Sequence, residues 1–257
     1  MDKWRLIDLD TYDGYTNMAI DEAILNARIE NKVPNTLRFY RWFPSTCSIG
    51  KNQSISNEVD LNACKELGFK IVRRISGGGA VFHDYNGEIT YSIIANQTDL
   101  IPRNIDESFR KLCQGIIIAL SKIGLKAYHG KSHCPSIFVN NRKISGNAQT
   151  RRKNVILQHG TILLDYDPEL MYTVLLVREG HKREKVISSV FQKVTTIKEE
   201  IKKSIKINQI KEFLIEGYKE VFGDNFQRGI LTDYELEMAK KLRNEKYLTD
   251  EWNFKIT

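Results

Sequence analysis

Hydrophobic residues recur with helical spacing in several stretches of the chain, and local signals mark where each helix begins or ends. Between Asp106 and Gly124, apolar residues return every three or four positions, which predicts an amphipathic helix capped by Asp106. The same spacing predicts a helix over residues 16–29 and another over 210–221, which Gly223 ends. Two further helix starts are indicated by a proline at the first helical position and by a capping box, at Asp167-Pro168 and at Thr232 to Glu235.

Short apolar runs bounded by turn residues predict strands between these helices. They cover residues 4–9, 37–42, 46–50, 69–74, 80–83, 89–95, 136–139, 143–145 and 155–164. An Asn-Gly turn within residues 84–87 predicts that the strands on either side of it pair as a hairpin. The pattern therefore predicts an α+β fold, with a mixed, largely antiparallel sheet and packed helices in one domain over residues 1–257. A small helical C-terminal subdomain from about residue 188 is a further option within that domain.

Composition sets broad limits on function. No apolar run approaches the roughly 20 residues that a membrane helix needs, and the N-terminus is charged, so we expect a cytoplasmic protein without a signal peptide or membrane anchor. The net charge of +7 would suit a nucleic-acid binder or a protein that docks on acidic partners. The basic clusters are interleaved with acidic residues, and no nucleic-acid-binding motif is present. We therefore expect neither a nucleic acid nor a membrane as partner, and a basic nucleic-acid-binding module remains the alternative from another class.

The four cysteines form no CxxC pair, which argues against a zinc site or a redox dithiol. Cys47, Cys64 and Cys113 fall in predicted strands or helices and are expected to be buried thiols. Cys134 differs, because it stands beside His133 in a predicted loop.

Three consecutive glycines interrupt the segment RRISGGGAVFHD, residues 73–84. The segment lacks the Lys-Ser/Thr ending of a P-loop and leads into a strand, so neither a Walker nor a Rossmann site fits. A glycine loop between two strands can present backbone N–H groups to an anion, and Arg73 and Arg74 add positive charge. The alternative is a glycine-rich bulge at a sheet corner with two surface arginines.

A second segment, RKISGNAQTRRK over residues 142–153, places Lys143 three residues before a glycine. A lysine there could offset the charge that develops when a carboxylate attacks a phosphate, or it could simply lie at a strand edge in water. His159 interrupts the apolar run VILQHGTILLD, although buried histidines more often serve packing than ligand binding. No motif resembles a Ser-His-Asp triad or a metal-ligand cluster, so positioning and electrostatics are expected to provide most of the rate.

Together these segments resemble the lipoate-protein ligase A and octanoyltransferase family, which shares its biotinyl/lipoyl-ligase catalytic fold with biotin-protein ligases. The matching stretches occur in the family's order and cover nearly the whole chain. They are RFYRWFP (38–44), SIGKNQ (48–53), RRISGGGAVFHD (73–84), EITYSI (88–93), KISGNAQ (143–149), HGTILLD (159–165) and KYLTDEWN (246–253).

The resemblance implies transfer of a lipoyl or octanoyl group to a lysine on a carrier domain of a 2-oxoacid dehydrogenase complex or of the glycine cleavage H protein. In the ligase branch, lipoate or octanoate reacts with ATP and Mg²⁺ to give an acyl-AMP, from which the carrier lysine displaces AMP. By matching position, the residues that would hold the acyl-adenylate are Arg73, Arg74, Gly77, Gly78 and Gly79. Those that would line its pocket are Ala80, Val81, Phe82, His83, Asp84, Gly146, Asn147 and His159. Lys143 would contact the acyl carbonyl and the α-phosphate.

The family's transferase branch uses no ATP. A cysteine takes the octanoyl group from an acyl carrier protein as a thioester and passes it to the carrier lysine. Cys134, nine residues before Lys143, permits this reaction here. The sequence GGGAVFHD is typical of ligases, so we expect a lipoate-protein ligase, with a small accessory-domain protein as a further partner, and keep octanoyltransferase as the alternative. A catalytically silent lipoate binder is a further alternative.

Overall fold

The computed structural model describes residues 3–97, 101–131, 135–176, 187, 193–203 and 205–257. Cys134, the candidate thioester nucleophile, and His133 lie outside these residues.

An eight-stranded sheet forms the body of the protein. Its strands, in spatial order, are β11 (Phe226–Gly229), β1 (Trp4–Tyr12), β2 (Asn35–Trp42), β6 (Glu88–Asn96), β10 (Val155–Leu163), β9 (Arg142–Arg152), β8 (Ser136–Val139) and β7 (Ala127–His129). Strand β1 runs parallel to β2 and β11, whereas the other neighbouring strands are antiparallel. The predicted α+β class with a mixed, mostly antiparallel sheet is therefore confirmed.

A second, three-stranded sheet carries the glycine loop. Its strands, in spatial order, are β4 (Lys70–Arg73), β3 (Thr46–Ile49) and β5 (Val81–His83). The predicted hairpin between β5 and β6 is wrong, because β5 pairs with β3. Strand β6 is flanked on both edges, since Thr90 pairs with Tyr40 of β2 and with Thr161 of β10. The turn over residues 84–87 forms as predicted, with Gly87 N donating to Asp84 O at 3.2 Å, but it connects two different sheets.

The helices pack on both faces of the large sheet. They are α1 (Gly14–Ile29), α2 (Leu61–Glu66), α3 (Ile105–Lys122), α4 (Pro168–Val174), α5 (Ile197–Ile201), α6 (Ile207–Phe222), α7 (Asp233–Leu242) and α8 (Asp250–Asn253), with a π-helical turn over Arg243–Tyr247. Side chains alternate across a strand, so Leu37 and Phe39 of β2 meet the core under α3 and α6, while Tyr40 and Trp42 meet α1. A Cβ on Gly217 of α6 would stand 2.2 Å from the carbonyl oxygen of Gly115 in α3, so glycine permits their close approach.

The helix signals in the sequence are largely confirmed. Asp167 caps α4 before Pro168, and Thr232 forms a capping box at the start of α7. The predicted cap of α3 is wrong, because Asn104 caps that helix, two residues before Asp106, by accepting from Glu107 N at 3.1 Å.

Two strands were missing from the sequence prediction. Strands β7 and β11 are the outermost strands of the large sheet, and their largely accessible residues lack an alternating apolar pattern. Among the helices that the structure describes, none has the length and apolar character required to cross a bilayer. The cytoplasmic location and the division of the domain near residue 188 stay predictions.

Candidate active site

A cavity of about 280 Å³ is bounded by both sheets and by α4. It brings together residues that the sequence places far apart, including Lys143 of β9 and Gly78 of the glycine loop. The predicted site residues that line it are Arg74, Gly78, Gly79, Ala80, Val81, Phe82, His83, Asp84, Lys143, Gly146, Asn147 and His159. Arg73 and Gly77 are the two predicted pocket residues that are not among its lining.

Arg73 binds the C-terminal tail of the chain. Its guanidinium donates from Nη1 to Gln53 O at 2.6 Å and from Nη2 to Asn253 O at 2.8 Å. Its backbone N–H donates to Asn253 Oδ1 at 2.8 Å, and its carbonyl accepts from Trp252 Nε1 at 2.7 Å. Arg73 therefore joins β4 to α8, and its charge is directed at backbone carbonyls away from the cavity.

Arg74 holds the glycine loop through hydrogen bonds to its carbonyl groups. Its Nη2 donates to Gly77 O at 2.8 Å and to Gly79 O at 2.7 Å. In a trans peptide the N–H of the next residue points opposite to the carbonyl, so the N–H groups of Gly78 and Ala80 point away from Arg74. Burial lowers the pKa of Arg74 to about 10, which still leaves the guanidinium charged at neutral pH. The backbone N–H groups of Gly78 and Ala80 therefore face outward, away from the buried guanidinium of Arg74.

Gly78 has a backbone conformation that favours glycine, with φ at +93°. Its carbonyl also approaches β3 closely, because a Cβ on Gly50 would stand 2.2 Å from Gly78 O. Gly77 and Gly79 differ, since a Cβ on either would meet nothing within 4 Å.

His83 lies between a serine and a carboxylate. Its Nε2 is 2.8 Å from Ser48 Oγ, and its Nδ1 is 2.6 Å from Glu88 Oε1. The imidazole stacks on the indole of Trp42, with the ring centroids 4.0 Å apart. His83 is therefore fixed on both nitrogens and on one ring face.

His159 has a similar environment. Its Nε2 is 2.6 Å from Ser76 Oγ, and its Nδ1 is 3.5 Å from Asp21 Oδ2. Burial lowers the pKa of His159, although Asp21 opposes this effect, so the ring is neutral at neutral pH. Burial alone would raise the pKa of Asp21, but the contact with His159 and the charge of Arg38 lower it overall. The neutral imidazole of His159 thus contacts Ser76, the residue that directly precedes the three glycines.

No sequence pattern predicts these two serine–histidine–carboxylate arrays. Ser76 and His159 are 83 residues apart, and Ser48 and His83 are 35 apart, so their meeting depends on the pairing of strands. Ser48 and Ser76 are 1% and 0% exposed, and each hydroxyl lies within hydrogen-bond distance of a histidine nitrogen. The arrays therefore connect the strands and the glycine loop around the cavity.

Lys143 and Asn147 line the part of the cavity that β9 forms. A Cβ on Gly146 would stand 2.9 Å from Lys143 Nζ, so glycine makes room for the ammonium group. Asn147 accepts from the hydroxyl of Tyr91 and donates to Pro135 O, each at 2.7 Å. Pro135 is the chain neighbour of Cys134, the candidate nucleophile.

The remainder of the cavity is largely apolar. Side chains that can receive a hydrocarbon chain come from strands of both sheets, from α4 and from the residue after it, and are Trp42, Val81, Phe82, Leu163, Met171 and Leu175. An elongated acyl group could bury its tail here while its carbonyl meets the polar groups near Lys143 and the glycine loop.

The three cysteines predicted to be buried are buried, as Cys47, Cys64 and Cys113 are each at most 2% exposed. Burial raises the pKa of Cys113 to about 12, which makes this thiol a poor nucleophile at neutral pH. Within the described ranges, no group of three or more His, Cys, Asp or Glu residues could hold a metal ion.

Comparisons with known proteins identify the family of the chain. A family model, "Lipoyl protein ligase A/B catalytic domain", matches residues 13–219. Octanoyltransferase LipM of Anoxybacillus flavithermus is 37% identical over 274 residues, which cover 98% of each chain. LipM of Clostridioides difficile is 36% identical over 273 residues, covering 99% of this chain and 100% of its own. LipM of Bacillus subtilis is 34% identical over 274 residues, covering 98% of each chain.

Solved structures of lipoate ligases have the same fold. A bipartite lipoate protein ligase from Thermoplasma acidophilum superposes with a TM-score of 0.88 at 29% identity, covering 100% of this chain and 98% of its own. Lipoate-protein ligase A bound with ATP superposes with a TM-score of 0.86 at 27% identity, covering 100% of both chains. These matches confirm the family resemblance inferred from the motifs.

The expected ATP-dependent ligase reaction is contradicted by the three nearly full-length relatives, each of which is an octanoyltransferase. ATP and Mg²⁺ lose their support with it, whereas the accessory-domain protein stays a prediction. The expectation relied on the glycine-loop sequence. Outward N–H groups can stabilise a phosphate oxygen or the oxyanion formed from a thioester, so such a loop does not distinguish the two reactions.

Proposed function

The chain belongs to the lipoyl protein ligase A/B catalytic domain family, and on this premise we propose that it is an octanoyltransferase that modifies lipoyl carrier domains. The donor is the octanoyl thioester of an acyl carrier protein, and the acceptor is a specific lysine of the carrier domain. The observation that carries the proposal is the 34–37% identity to octanoyltransferases over at least 98% of the chain.

Cys134 is the proposed nucleophile. Its thiolate attacks the carbonyl carbon of the donor thioester, and a new carbon–sulfur bond forms. The bond to the sulfur of the acyl carrier protein breaks, and that thiolate leaves and takes up a proton. Support comes from the burial of Cys47, Cys64 and Cys113, which makes them poor candidates, and from the contact of Asn147 with Pro135. The octanoyl group is then held on the enzyme as a thioester.

The second step moves the octanoyl group to nitrogen. The amine of the carrier lysine attacks the enzyme thioester, a carbon–nitrogen bond forms, and the Cys134 thiolate is released. The lysine attacks as the neutral amine, after its ammonium has lost one proton to solvent, and the second proton, which its nitrogen loses on amide formation, is taken up by the Cys134 thiolate. Each step passes through a tetrahedral oxyanion, so one oxyanion site serves both.

Two groups of the cavity suit that oxyanion. The outward N–H groups of Gly78 and Ala80 are fixed by the bonds of Arg74 to the loop carbonyls, and they carry no formal charge that a substrate would have to displace. Lys143 lines the same cavity and supplies a positive charge. An acyl tail packed near Met171 and Leu175 would place the carbonyl between these groups.

Intact-protein mass spectrometry tests the proposal. The enzyme is incubated with octanoyl-acyl carrier protein and then with an apo lipoyl domain, without ATP. We expect an octanoyl mass gain on the enzyme, followed by its loss as the lipoyl domain gains the same mass. Cys134→Ser should abolish both gains.

The matched control is Cys64→Ser, which changes a buried thiol that is 1% exposed and should leave both gains in place. A parallel reaction supplies lipoate with Mg-ATP in place of the carrier thioester. Labelling of the lipoyl domain that requires ATP, or that persists in Cys134→Ser, would refute the proposed mechanism.

A further inference from the structure

Glu88 is a buried carboxylate at the first position of the stretch EITYSI, and the family resemblance assigned it no role. It lies at the start of β6, is 2% exposed, and lines the cavity. Its Oε1 accepts from Thr90 Oγ1 at 2.8 Å and contacts His83 Nδ1 at 2.6 Å. Its Oε2 has no hydrogen-bond partner among the residues that the structure describes. An unpaired carboxylate oxygen at such depth is unfavourable for folding, which raises the question of what keeps Glu88 there.

The chemistry of its neighbours gives the hydrogen bonds one direction. A guanidinium can only donate, so Arg74 Nη1 donates to Ser48 Oγ at 3.2 Å. The Ser48 hydroxyl hydrogen is then available to His83 Nε2 at 2.8 Å. A carboxylate can only accept, so His83 places its proton on Nδ1 and donates it to Glu88. The four groups form one chain of donors from Arg74 to Glu88.

Arg74 connects this chain to the glycine loop. The same guanidinium holds the carbonyls of Gly77 and Gly79 and thereby sets the direction of the N–H groups of Gly78 and Ala80. If His83 carried its proton on Nε2 alone, Ser48 Oγ would accept from both His83 and Arg74, and its hydroxyl hydrogen would lose His83 as its acceptor. The hydroxyl would then rotate, which changes its alignment with Arg74 Nη1.

We propose that Glu88 is a positioning residue for acyl transfer. Through His83, Ser48 and Arg74 it fixes the glycine loop in the shape that receives the oxyanion of the thioester. This inference rests on the proposed octanoyltransferase reaction. It assigns Glu88 no contact with substrate and accounts for a buried carboxylate whose second oxygen is unpaired.

Replacement of Glu88 should have different effects if this residue only stabilises the fold and if it positions His83. Glu88→Leu removes the unpaired Oε2, and His83 can move its proton to Nε2, so this variant should lose less stability than a variant that leaves a buried charge without its partner. It nevertheless removes the acceptor of the His83 proton. Glu88→Gln keeps an amide oxygen in the position of Oε1 and should therefore retain most of the function that Glu88→Leu loses.

The matched control is Glu235→Leu. Glu235 is another fully buried carboxylate, 0% exposed, but it pairs with Arg5 at 2.5 Å and does not line the cavity. Its removal leaves the buried Arg5 without its partner, so this variant should lose stability. Its rate of octanoyl transfer per folded molecule should be unchanged.

The experiment measures three quantities for each variant. These are the midpoint of thermal unfolding, the first-order rate of octanoyl-enzyme formation at saturating octanoyl-acyl carrier protein, and imidazole proton–nitrogen correlation spectra. The chain has five histidines, and His83→Gln assigns the signal of His83. We expect Glu88→Leu to slow octanoyl-enzyme formation about 100-fold, as loss of preorganised geometry does elsewhere. We also expect the His83 signal to change from the Nδ1–H form to the Nε2–H form.

A double-mutant cycle with Ser48→Ala provides a second test. If both residues act through one chain of hydrogen bonds, Glu88→Leu should slow the Ser48→Ala enzyme much less than it slows the parent. Additive effects would overturn the inference, as would a Glu88→Leu enzyme that transfers at the parent rate. If Glu88→Leu does not fold, Glu88→Gln and Ser48→Ala still report the tautomer and the rate, and an unperturbed rate in Ser48→Ala refutes the chain.

The outcome is separable from the proposed function. A parent enzyme that forms no octanoyl adduct refutes the octanoyltransferase reaction, whatever its variants do. The spectra then still test the structural part, because the Nδ1–H form of His83 must be present in the parent and absent in Glu88→Leu. Its absence in the parent would overturn the inference even if the enzyme transfers octanoyl groups normally.

Discussion

Replacement of Gly78 by alanine tests whether the conformation of the glycine loop matters. Gly78 has φ at +93°, where an alanine is disfavoured by about 1–2 kcal/mol. The new Cβ would also stand 3.1 Å from Arg74 Nη2, the atom that holds the loop carbonyls. We expect a loss of about 1–2 kcal/mol in the free energy of unfolding, which is roughly 2–8 °C in the melting temperature of a chain of this size.

Gly77→Ala and Gly79→Ala are matched controls in the same loop. Neither glycine has positive φ, and a Cβ on either meets nothing within 4 Å, so both variants should stay within about 0.5 kcal/mol of the parent. Urea denaturation gives the three free energies, and octanoyl-enzyme formation gives the three rates. A Gly78→Ala protein as stable as the two controls would refute the assignment of strain to this position. We expect its transfer rate to fall furthest of the three, because only this change displaces Arg74.

Three further predictions concern individual side chains. Arg73→Ala should lower the free energy of unfolding by about 3 kcal/mol or more, since it loses several charged hydrogen bonds, and should increase hydrogen exchange in residues 250–257. Lys143→Ala should slow both half-reactions roughly 10²–10³-fold in single-turnover assays, and equal rates would exclude it from the oxyanion site. The pKa of His159 is lowered from 6.5 by burial, so the unfolded chain binds more protons below that pH. Stability should therefore fall as the pH drops below 6.5, and His159→Gln should reduce this slope in thermal melts, with His129 contributing the remainder.

The ligase and transferase reactions illustrate how far a site constrains chemistry. Both require a slot for an acyl chain and a place for negative charge on oxygen, and the cavity beside Gly78 and Lys143 offers both. The reactions differ in whether the acyl group is activated by a nucleotide or by a thiol. In the proposed reaction that difference depends on Cys134 and not on the glycine loop, so the loop sequence alone favoured the wrong reaction.

Local interactions made much of the fold predictable. Helix periodicity and caps involve residues within one or two turns, so the starts of α4 and α7 could be read directly from Pro168 and Thr232. A strand that is buried on both faces, such as β6, has a strong apolar pattern that is visible in the sequence. The outer strand β11 has no such pattern. The glycine loop and Lys143 could be selected because their residue types are unusual at those positions.

The sequence by itself therefore determined most of the elements, the fold class and a set of candidate site residues, most of which line the cavity. Only the tertiary structure decided that Arg74 supports the loop while its neighbour Arg73 anchors the tail, since adjacent residues leave a strand in opposite directions. It also decided that β5 joins β3 and that Glu88 meets His83 and, through Ser48, Arg74. These contacts depend on which strand edges meet across many residues of chain, and no local pattern specifies that.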